Sequence, residues 1–137
     1  MSDDYLFVYG TLRRNAGYPI YEYLRTTAEF VADATLQGRL YLVSTYPGAV
    51  TSTDPRDQVI GEIFRLHDSD EVLRHLDQHE GCGPGCAKPA QYVRQLHEVR
   101  LVDSGEKRTV WVYFYNLPVE HLRRIASGDF LDTLEES

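Results

Sequence analysis

The residue with the clearest chemical potential is Glu80, near the end of a predicted helix. Leu73, Leu76 and Glu80 are spaced at i, i+3 and i+7, so they share one face of that helix. Because the leucines must face the core, we expect the glutamate carboxyl to point inward or towards a cavity beside the core. Burial and the negative end of the helix dipole would both raise its pKa, and a carboxyl tuned towards neutral pH is an effective general acid and base. The competing interpretation is a frayed last turn that exposes Glu80 to water.

A glycine loop near the N-terminus is a second feature that can serve chemistry. An apolar run from Tyr5 to Tyr9 predicts a buried strand, which stops at Gly10 and is followed by Thr11 and Leu12. Glycine lets another group approach the backbone closely, and N–H groups left unpaired at a strand end can bind a ligand. The alternative is a strand followed by an ordinary turn.

A zinc site is the sharpest competing interpretation of the helix end. His75, His79, Cys82 and Cys86 fall within twelve residues, and two imidazoles one helical turn apart followed by two thiols suit tetrahedral Zn²⁺. Against this, three residues of a flexible loop separate the thiols, and the helix face that carries the histidines is expected to be exposed. We therefore predict no metal and no cofactor, and the two thiols stay open as free, redox-active or metal-binding.

The hydrophobic pattern predicts the elements that position these groups. We expect strands over residues 5–9, 30–43 in two pieces joined or kinked at Gly38, 59–66, 92–102 and 109–115, with one short strand inside the loop 44–57. Gly61 marks a bulge or a close approach in its strand. Residues 103–106 predict a hairpin turn, and apolar side chains on both faces of residues 109–115 predict a central strand.

Helices are expected over residues 19–25, from Asp68 or Ser69 to about residue 79, and from Pro118 to Gly128. Asp68 and residue 71 have the spacing of a capping box, and Gly81 supplies the C-terminal stop. Strands and helices do not alternate strictly, which indicates an α+β fold. We expect one domain over residues 1–137, in which the acidic segment 129–137 packs loosely.

Composition excludes several function classes. The chain has 137 residues and a formal net charge of −7, which argues against sequence-independent binding of nucleic acid. Arg13 with Arg14, and Arg123 with Arg124, are expected to be solvated surface pairs. No apolar run is long enough to span a membrane, and the acidic start is not a secretory signal, so we expect a cytoplasmic protein. Ten tyrosines provide side chains that can line a pocket with a polar tip, although most are expected to pack in the core.

Five short motifs stand in one order along the chain: Val8-Tyr9-Gly10-Thr11-Leu12, Tyr46-Pro47-Gly48, Gly61-Glu62-Ile63, Leu76-Asp77-x-x-Glu80-Gly81 and Tyr92-Val93-Arg94. This series resembles the gamma-glutamylcyclotransferase-like family, specifically the branch that includes gamma-glutamylamine cyclotransferases. The resemblance runs from about Tyr5 to Tyr115. It implies a small mixed β-barrel of about six strands flanked by two or three short helices.

The resemblance also implies an enzyme that converts a gamma-glutamyl amide into 5-oxoproline and a free amine, by attack of the α-amino group on the γ-carbonyl. Carried over to this sequence, Tyr9, Gly10, Thr11 and Leu12 form the loop that binds the small gamma-glutamyl substrate, and Glu80 is the base and the acid. Tyr115, at the end of a strand, is a candidate hydroxyl partner of the substrate or of the glutamate.

Four further points concern Arg94, the segment 81–89, oligomeric state and an alternative function. Arg94 is better explained as a salt bridge at the sheet surface than as a binding residue. The glycine- and proline-rich segment 81–89 departs from the family pattern and leaves the amine part of the substrate undetermined, and oligomeric state is not readable from the sequence. The alternative function is a non-catalytic module that binds a small amino-acid-like ligand in the same pocket.

Overall fold

The computed structural model describes residues 4–81 and 90–134. Along these residues the elements are β1 (Tyr5–Val8), α1 (Ile20–Thr27), β2 (Ala28–Leu42), β3 (Pro47–Thr51), β4 (Gln58–Leu66), α2 (Ser69–Glu80), β5 (Tyr92–Leu101), β6 (Lys107–Tyr115), β7 (Arg123–Arg124) and α3 (Phe130–Leu134). No helix in the described part of the chain is long and apolar enough to cross a membrane.

Five strands close into a small mixed barrel in the order β2, β4, β1, β6 and β5, and β5 pairs again with β2. β1 runs parallel to β6, whereas the other neighbours in the barrel are antiparallel. β3 and β7 pair with β2 outside this closed set. The α+β barrel expected from the sequence is therefore confirmed, with β6 in the central position that its two apolar faces predict.

β2 is one continuous strand that serves two sheets. Residues 28–37 pair with β4, apart from a register shift at residue 31, and from Gly38 onward the strand pairs with β3. The two predicted pieces are thus joined at Gly38, where the pairing partner changes. The close approach predicted at Gly61 on β4 is confirmed, because a Cβ at this position would lie 2.3 Å from the carbonyl oxygen of Val8. β1 and β4 can therefore lie close together where the glycine loop begins.

The side chains of β1 divide between two apolar clusters. Phe7 and Tyr9 pack into one cluster with residues of β2, β4 and β6, while Leu6 and Val8 pack into a second cluster beneath the two longer helices. Leu73 and Leu76 of α2 are buried in this second cluster, as their spacing predicts. The burial of both faces explains why β1 is an uninterrupted apolar run.

The start of α2 corrects one expectation. Asp68 occupies the N-cap position but its side chain makes no capping hydrogen bond, so the predicted capping box does not form. Only its backbone carbonyl takes part, by accepting the N–H of Val72 at 2.9 Å. At the other end the prediction is confirmed, because Gly81 adopts the left-handed conformation that ends the helix.

The helix expected from Pro118 to Gly128 is wrong. This stretch contains β7, which pairs with the end of β2, and the N–H of Ile125 then donates to the carbonyl of Leu40 at 2.8 Å. The helix α3 begins only after Gly128, and Phe130 in it is 1% exposed. Phe130 is thus an apolar anchor within the acidic segment, whereas the other side chains of residues 129–134 are half-buried or exposed.

Candidate active site

A cavity of about 450 Å³ opens where the end of β1, the start of α1 and the end of α2 meet. Its lining includes five residues that the sequence singled out, namely Tyr9, Gly10, Thr11, Leu12 and Glu80. The fold thus brings the glycine loop and the helix-end carboxyl to one space, although they are far apart in the chain.

The glycine loop is held against β3. A Cβ on Gly10 would lie 2.7 Å from the Cγ of Pro47, so only glycine fits there without movement. The carbonyl of Gly10 accepts the backbone N–H of Arg13 at 3.0 Å, which closes a turn. Within residues 4–81 and 90–134, no hydrogen bond engages the backbone N–H groups of Gly10, Thr11 and Leu12. Because these three residues line the cavity, their N–H groups are candidate donors to a ligand there.

The hydroxyl of Tyr9 makes hydrogen bonds to the backbone of two strands. It donates to the backbone carbonyl of Tyr113 and accepts the backbone N–H of Ala49 at 3.2 Å. Burial, and secondarily the nearby charge of Glu80, raise the pKa of this phenol. Tyr9 therefore contributes an aromatic wall to the cavity, and its hydroxyl is already saturated.

Glu80 carries the clearest electrostatic signature in the cavity. Its side chain is partly buried, and burial followed by the charge of Asp77 raises its pKa from 4.5 to about 7. No ion pair or hydrogen bond to another described residue stabilises its charged form. A carboxyl in this state exchanges protons readily near neutral pH.

Asp77, one turn before Glu80, anchors the end of α2 to the barrel. Its carboxylate accepts two hydrogen bonds from the guanidinium of Arg94, at 2.8 and 3.0 Å, and one from the hydroxyl of Tyr113 at 2.7 Å. The same guanidinium lies 4.4 Å above the ring of Trp111. The predicted salt bridge of Arg94 is therefore confirmed, and the last turn is held in place.

Tyr115 does not belong to the cavity lining in the structure. Its Cβ and ring pack over Gly48, and its ring meets that of Tyr92 edge-on at 5.5 Å between centroids. Tyr92 reaches the cavity instead, and its hydroxyl donates to the carbonyl of Pro47 at 2.6 Å. Tyr92, which pairs with Tyr115 across β5 and β6, is the member of this pair that lines the cavity, and a role of Tyr115 towards the substrate stays a prediction.

Sequence reasoning missed most of the aromatic lining. These residues come from four separate parts of the chain: Tyr18, Tyr46, Tyr92 and Tyr113. Gln91 also lines the cavity, and its side-chain amide donates to the hydroxyl of Tyr46 at 2.7 Å. Tyr46 and Tyr92 belong to two of the motifs on which the family resemblance rests, but the motifs assigned them no role, and the high tyrosine content does not identify Tyr18 and Tyr113.

The two histidines of the zinc interpretation have different surroundings. The ring of His75 stacks on Tyr23 at 4.0 Å between centroids, whereas His79 lines the cavity. Over residues 4–81 and 90–134, no group of three potential ligands is close enough to hold a metal. Cys82 and Cys86, on which that interpretation depends, lie outside the described residues, as does most of the segment 81–89.

Arg13 corrects the expectation of a solvated arginine pair. It is only 5% exposed, whereas Arg14, Arg123 and Arg124 are exposed as predicted. The guanidinium of Arg13 lies beside Glu62 on β4, which is 1% exposed. A buried charge directly after the glycine loop is a feature that the local sequence pattern did not reveal.

Comparison with known proteins finds relatives along nearly the whole chain. The family described as "Gamma-glutamyl cyclotransferase, AIG2-like" matches residues 6–132. The gamma-glutamylcyclotransferase family protein YtfP of Escherichia coli (strain K12) is 32% identical over 128 residues, which are 93% of this chain and 96% of that protein.

Solved structures agree on the fold. The solution NMR structure of protein ytfP from Escherichia coli has a TM-score of 0.63 at 32% identity and covers 94% of this chain and 97% of that chain. The crystal structure of an AIG2-like protein from Mus musculus has a TM-score of 0.65 at 23% identity, over 86% of this chain and 82% of that chain. The second likeness concerns the fold alone.

Proposed function

Because this chain belongs to the gamma-glutamyl cyclotransferase, AIG2-like family of enzymes, we propose that it converts a gamma-glutamyl amide into 5-oxoproline and a free amine. The observation that carries this proposal is that Glu80, with a pKa raised to about 7, lines the same cavity as the loop Gly10–Leu12, whose N–H groups have no hydrogen bond to any described residue. A proton carrier and a set of oxyanion donors are the two groups that this cyclisation requires.

The reaction needs no external nucleophile. The α-amino nitrogen of the glutamyl group attacks its own γ-carbonyl carbon, a five-membered ring closes, and the bond from that carbon to the amine nitrogen breaks. The atoms of the amide are conserved between 5-oxoproline and the amine, so neither water nor a redox partner enters. The main task of the protein is to hold the glutamyl chain in the bent geometry that brings the two atoms together.

Glu80 would carry the proton in both directions. As carboxylate it accepts a proton from the α-ammonium, which frees the lone pair that attacks. As carboxylic acid it then donates that proton to the departing amine nitrogen. A group with a pKa near 7 serves both steps because neither protonation state is strongly disfavoured.

The glycine loop would stabilise the charge that develops on the γ-carbonyl oxygen. Backbone N–H groups are already oriented in the turn closed by the hydrogen bond from Arg13 to Gly10, so they need no rearrangement as the charge forms. The bulk of the aromatic lining then excludes water from the reacting atoms, which strengthens these interactions.

We further propose a gamma-glutamylamine as the substrate class. The described lining contains aromatic and aliphatic surfaces, such as Tyr18, Ile20 and Tyr46, and no lysine or arginine. Every gamma-glutamyl substrate already carries one α-carboxylate, and the described lining offers no cation for a second carboxylate. This supports an amine without a carboxylate over an anionic dipeptide.

The test is release of 5-oxoproline from a panel of gamma-glutamyl amides that differ in the amine, including one with a terminal carboxylate. Glu80→Gln keeps the shape of the side chain but carries no proton, so turnover should fall by about 10²- to 10⁴-fold while binding measured by calorimetry is retained. Glu71→Gln, which changes an exposed carboxylate on the same helix, is the matched control and should leave turnover unchanged.

Equal turnover in wild type and Glu80→Gln would remove this glutamate from the mechanism. A non-catalytic binding module would instead bind the panel with no 5-oxoproline from the wild type. Preference for the member with the terminal carboxylate would contradict the gamma-glutamylamine assignment and leave the reaction type intact.

A further inference from the structure

A buried ion network lies directly behind the glycine loop and takes no part in the chemistry proposed above. The guanidinium Nε of Arg13 donates to Oε2 of Glu62 at 3.2 Å, and its Nη1 donates to Oδ1 of Asp129 at 2.6 Å. The side chains of Arg13 and Glu62 are 7% and 1% exposed. Charges so far from water persist only where their partners are fixed, so these three residues define a geometry.

Glu62 also holds the backbone of the loop. Its Oε1 accepts the backbone N–H of Arg14 at 3.1 Å, which ties the end of the loop to β4. The start of the loop is tied to the same residue, because Glu62 pairs with Val8, the last residue of β1. Glu62 therefore ties both ends of the glycine loop to β4, the start through backbone pairing and the end through its buried carboxylate.

The C-terminal segment completes the network from the other side. Asp129 accepts the backbone N–H of Leu131 at 3.0 Å on the same Oδ1 that binds Arg13, so the start of α3 orients it. Its neighbour Phe130 is buried and lies 6.3 Å, between ring centroids, from Tyr18, which lines the cavity. The segment thus reaches the loop region at two points, through a charge and through a ring.

We propose that Arg13, Glu62 and Asp129 are positioning residues that set the substrate-binding loop, with Asp129 linking the C-terminal segment to it. The expected change in KM rests on the proposed function. The expected change in the geometry of the loop does not depend on that function. None of the three residues lines the cavity, so their effect on substrate runs through the backbone of residues 10–14.

Stability alone does not require this network. A buried set of charges can often be replaced by apolar side chains of similar size without loss of stability, whereas removal of a single partner leaves an uncompensated charge. What apolar side chains cannot reproduce is the direction of the hydrogen bonds to the loop. The positioning role therefore predicts that stability and substrate binding separate when both buried charges are removed together.

The decisive variant is the pair Arg13→Met with Glu62→Leu. We expect it to melt close to the wild type and to raise KM about tenfold to a hundredfold, because a loop displaced by about 1 Å no longer presents its donors correctly. The pH at which the rate changes should stay where it is, since the proton carrier sits on another element. A merely structural network would lower the melting temperature and leave KM unchanged.

A second variant guards against failure of the pair to fold. Asp129 is 27% exposed, and Asp129→Asn leaves the buried guanidinium of Arg13 paired with Glu62, so the variant should fold and raise KM several-fold. The control is Asp57→Asn, since Asp57 also joins two arginines, Arg39 at 2.8 Å and Arg124 at 2.7 Å, but lies outside the cavity lining. It should lower the melting temperature and leave KM unchanged.

Hydrogen exchange of the loop amides gives a readout that is independent of activity. Exchange of the two hydrogen-bonded loop amides, those of Arg13 and Arg14, should accelerate at least about tenfold in the double variant and measurably in Asp129→Asn, and stay unchanged in Asp57→Asn. Wild-type protein without 5-oxoproline release would overturn the proposed function, while the exchange experiment would still test the network. Unchanged loop exchange and unchanged KM in Asp129→Asn and in the folded double variant would overturn the inference.

Discussion

Replacing the proposed proton carrier should make the protein more stable, and increasingly so as the pH rises. Glu80→Gln removes a carboxyl whose pKa the fold raises from 4.5 to about 7, chiefly by burial. A raised carboxyl pKa means that folding favours the protonated form, so the stabilising contribution is fully present below about pH 4.5 and is lost as the pH rises through about 7. The amide is neutral at every pH and does not suffer this loss.

The size of the effect follows from the shift. A displacement of about 2.5 pKa units at about 1.4 kcal/mol per unit amounts to about 3 kcal/mol. The advantage of Glu80→Gln over the wild type should therefore be close to zero in acid and reach about 3 kcal/mol above about pH 8. About 2 kcal/mol of it should develop between about pH 5.5 and about pH 8.5, a range that avoids the isoelectric point near 5.1.

Urea unfolding at several pH values measures this difference directly. The free energies of unfolding of the two proteins are subtracted at each pH, so that titration of all other groups cancels. Glu71→Gln, with an exposed side chain on the same helix, should give a difference that does not change with pH. A pH-independent difference for Glu80→Gln, or a loss of stability at alkaline pH, would refute the view that the cavity holds this carboxyl at the expense of stability.

Three further predictions test the cavity. In the wild type kcat/KM should rise as the pH increases through about 7, when Glu80 becomes the base, and a pH–rate profile that is flat there would contradict this role. Gly10→Ala should force the loop away from Pro47, raise KM at least about tenfold and cost about 1–3 kcal/mol of stability in urea unfolding. Tyr9→Phe should cost about 2 kcal/mol or more, because it leaves buried backbone groups of β3 and β6 without a partner, while KM changes little.

The elements that the sequence predicted correctly are those with a strong local period. The apolar run of β6 and the helical spacing of Leu73, Leu76 and Glu80 contain the relevant information within about ten residues. The C-terminal part lacks such a signal, because β7 has two residues and α3 has five. Phe130 anchors α3 in the core, but a single aromatic residue in an acidic segment does not predict a helix.

In the candidate site, too, only the features that depend on a local pattern were predictable from the sequence. The loop after β1 and the inward face of α2 were predictable because each depends on a single element. The role of Tyr92 depends on its register opposite Tyr115, and the burial of Arg13 depends on Glu62, 49 residues away. Partners that meet only through tertiary pairing leave no trace in a local pattern, so the aromatic lining and the buried network required the structure.

Two carboxylates one helical turn apart have opposite roles because their partners differ. Asp77 is held by the guanidinium of Arg94 and the hydroxyl of Tyr113, and it fixes the end of α2 on β5 and β6. Glu80 has no such partner in the described part of the chain, and the remaining charge of Asp77 adds to burial in keeping its proton bound. Asp77 thus both anchors the end of α2 and helps to raise the pKa of Glu80. If this helix end frayed, Glu80 would lose its position in the cavity and its raised pKa together.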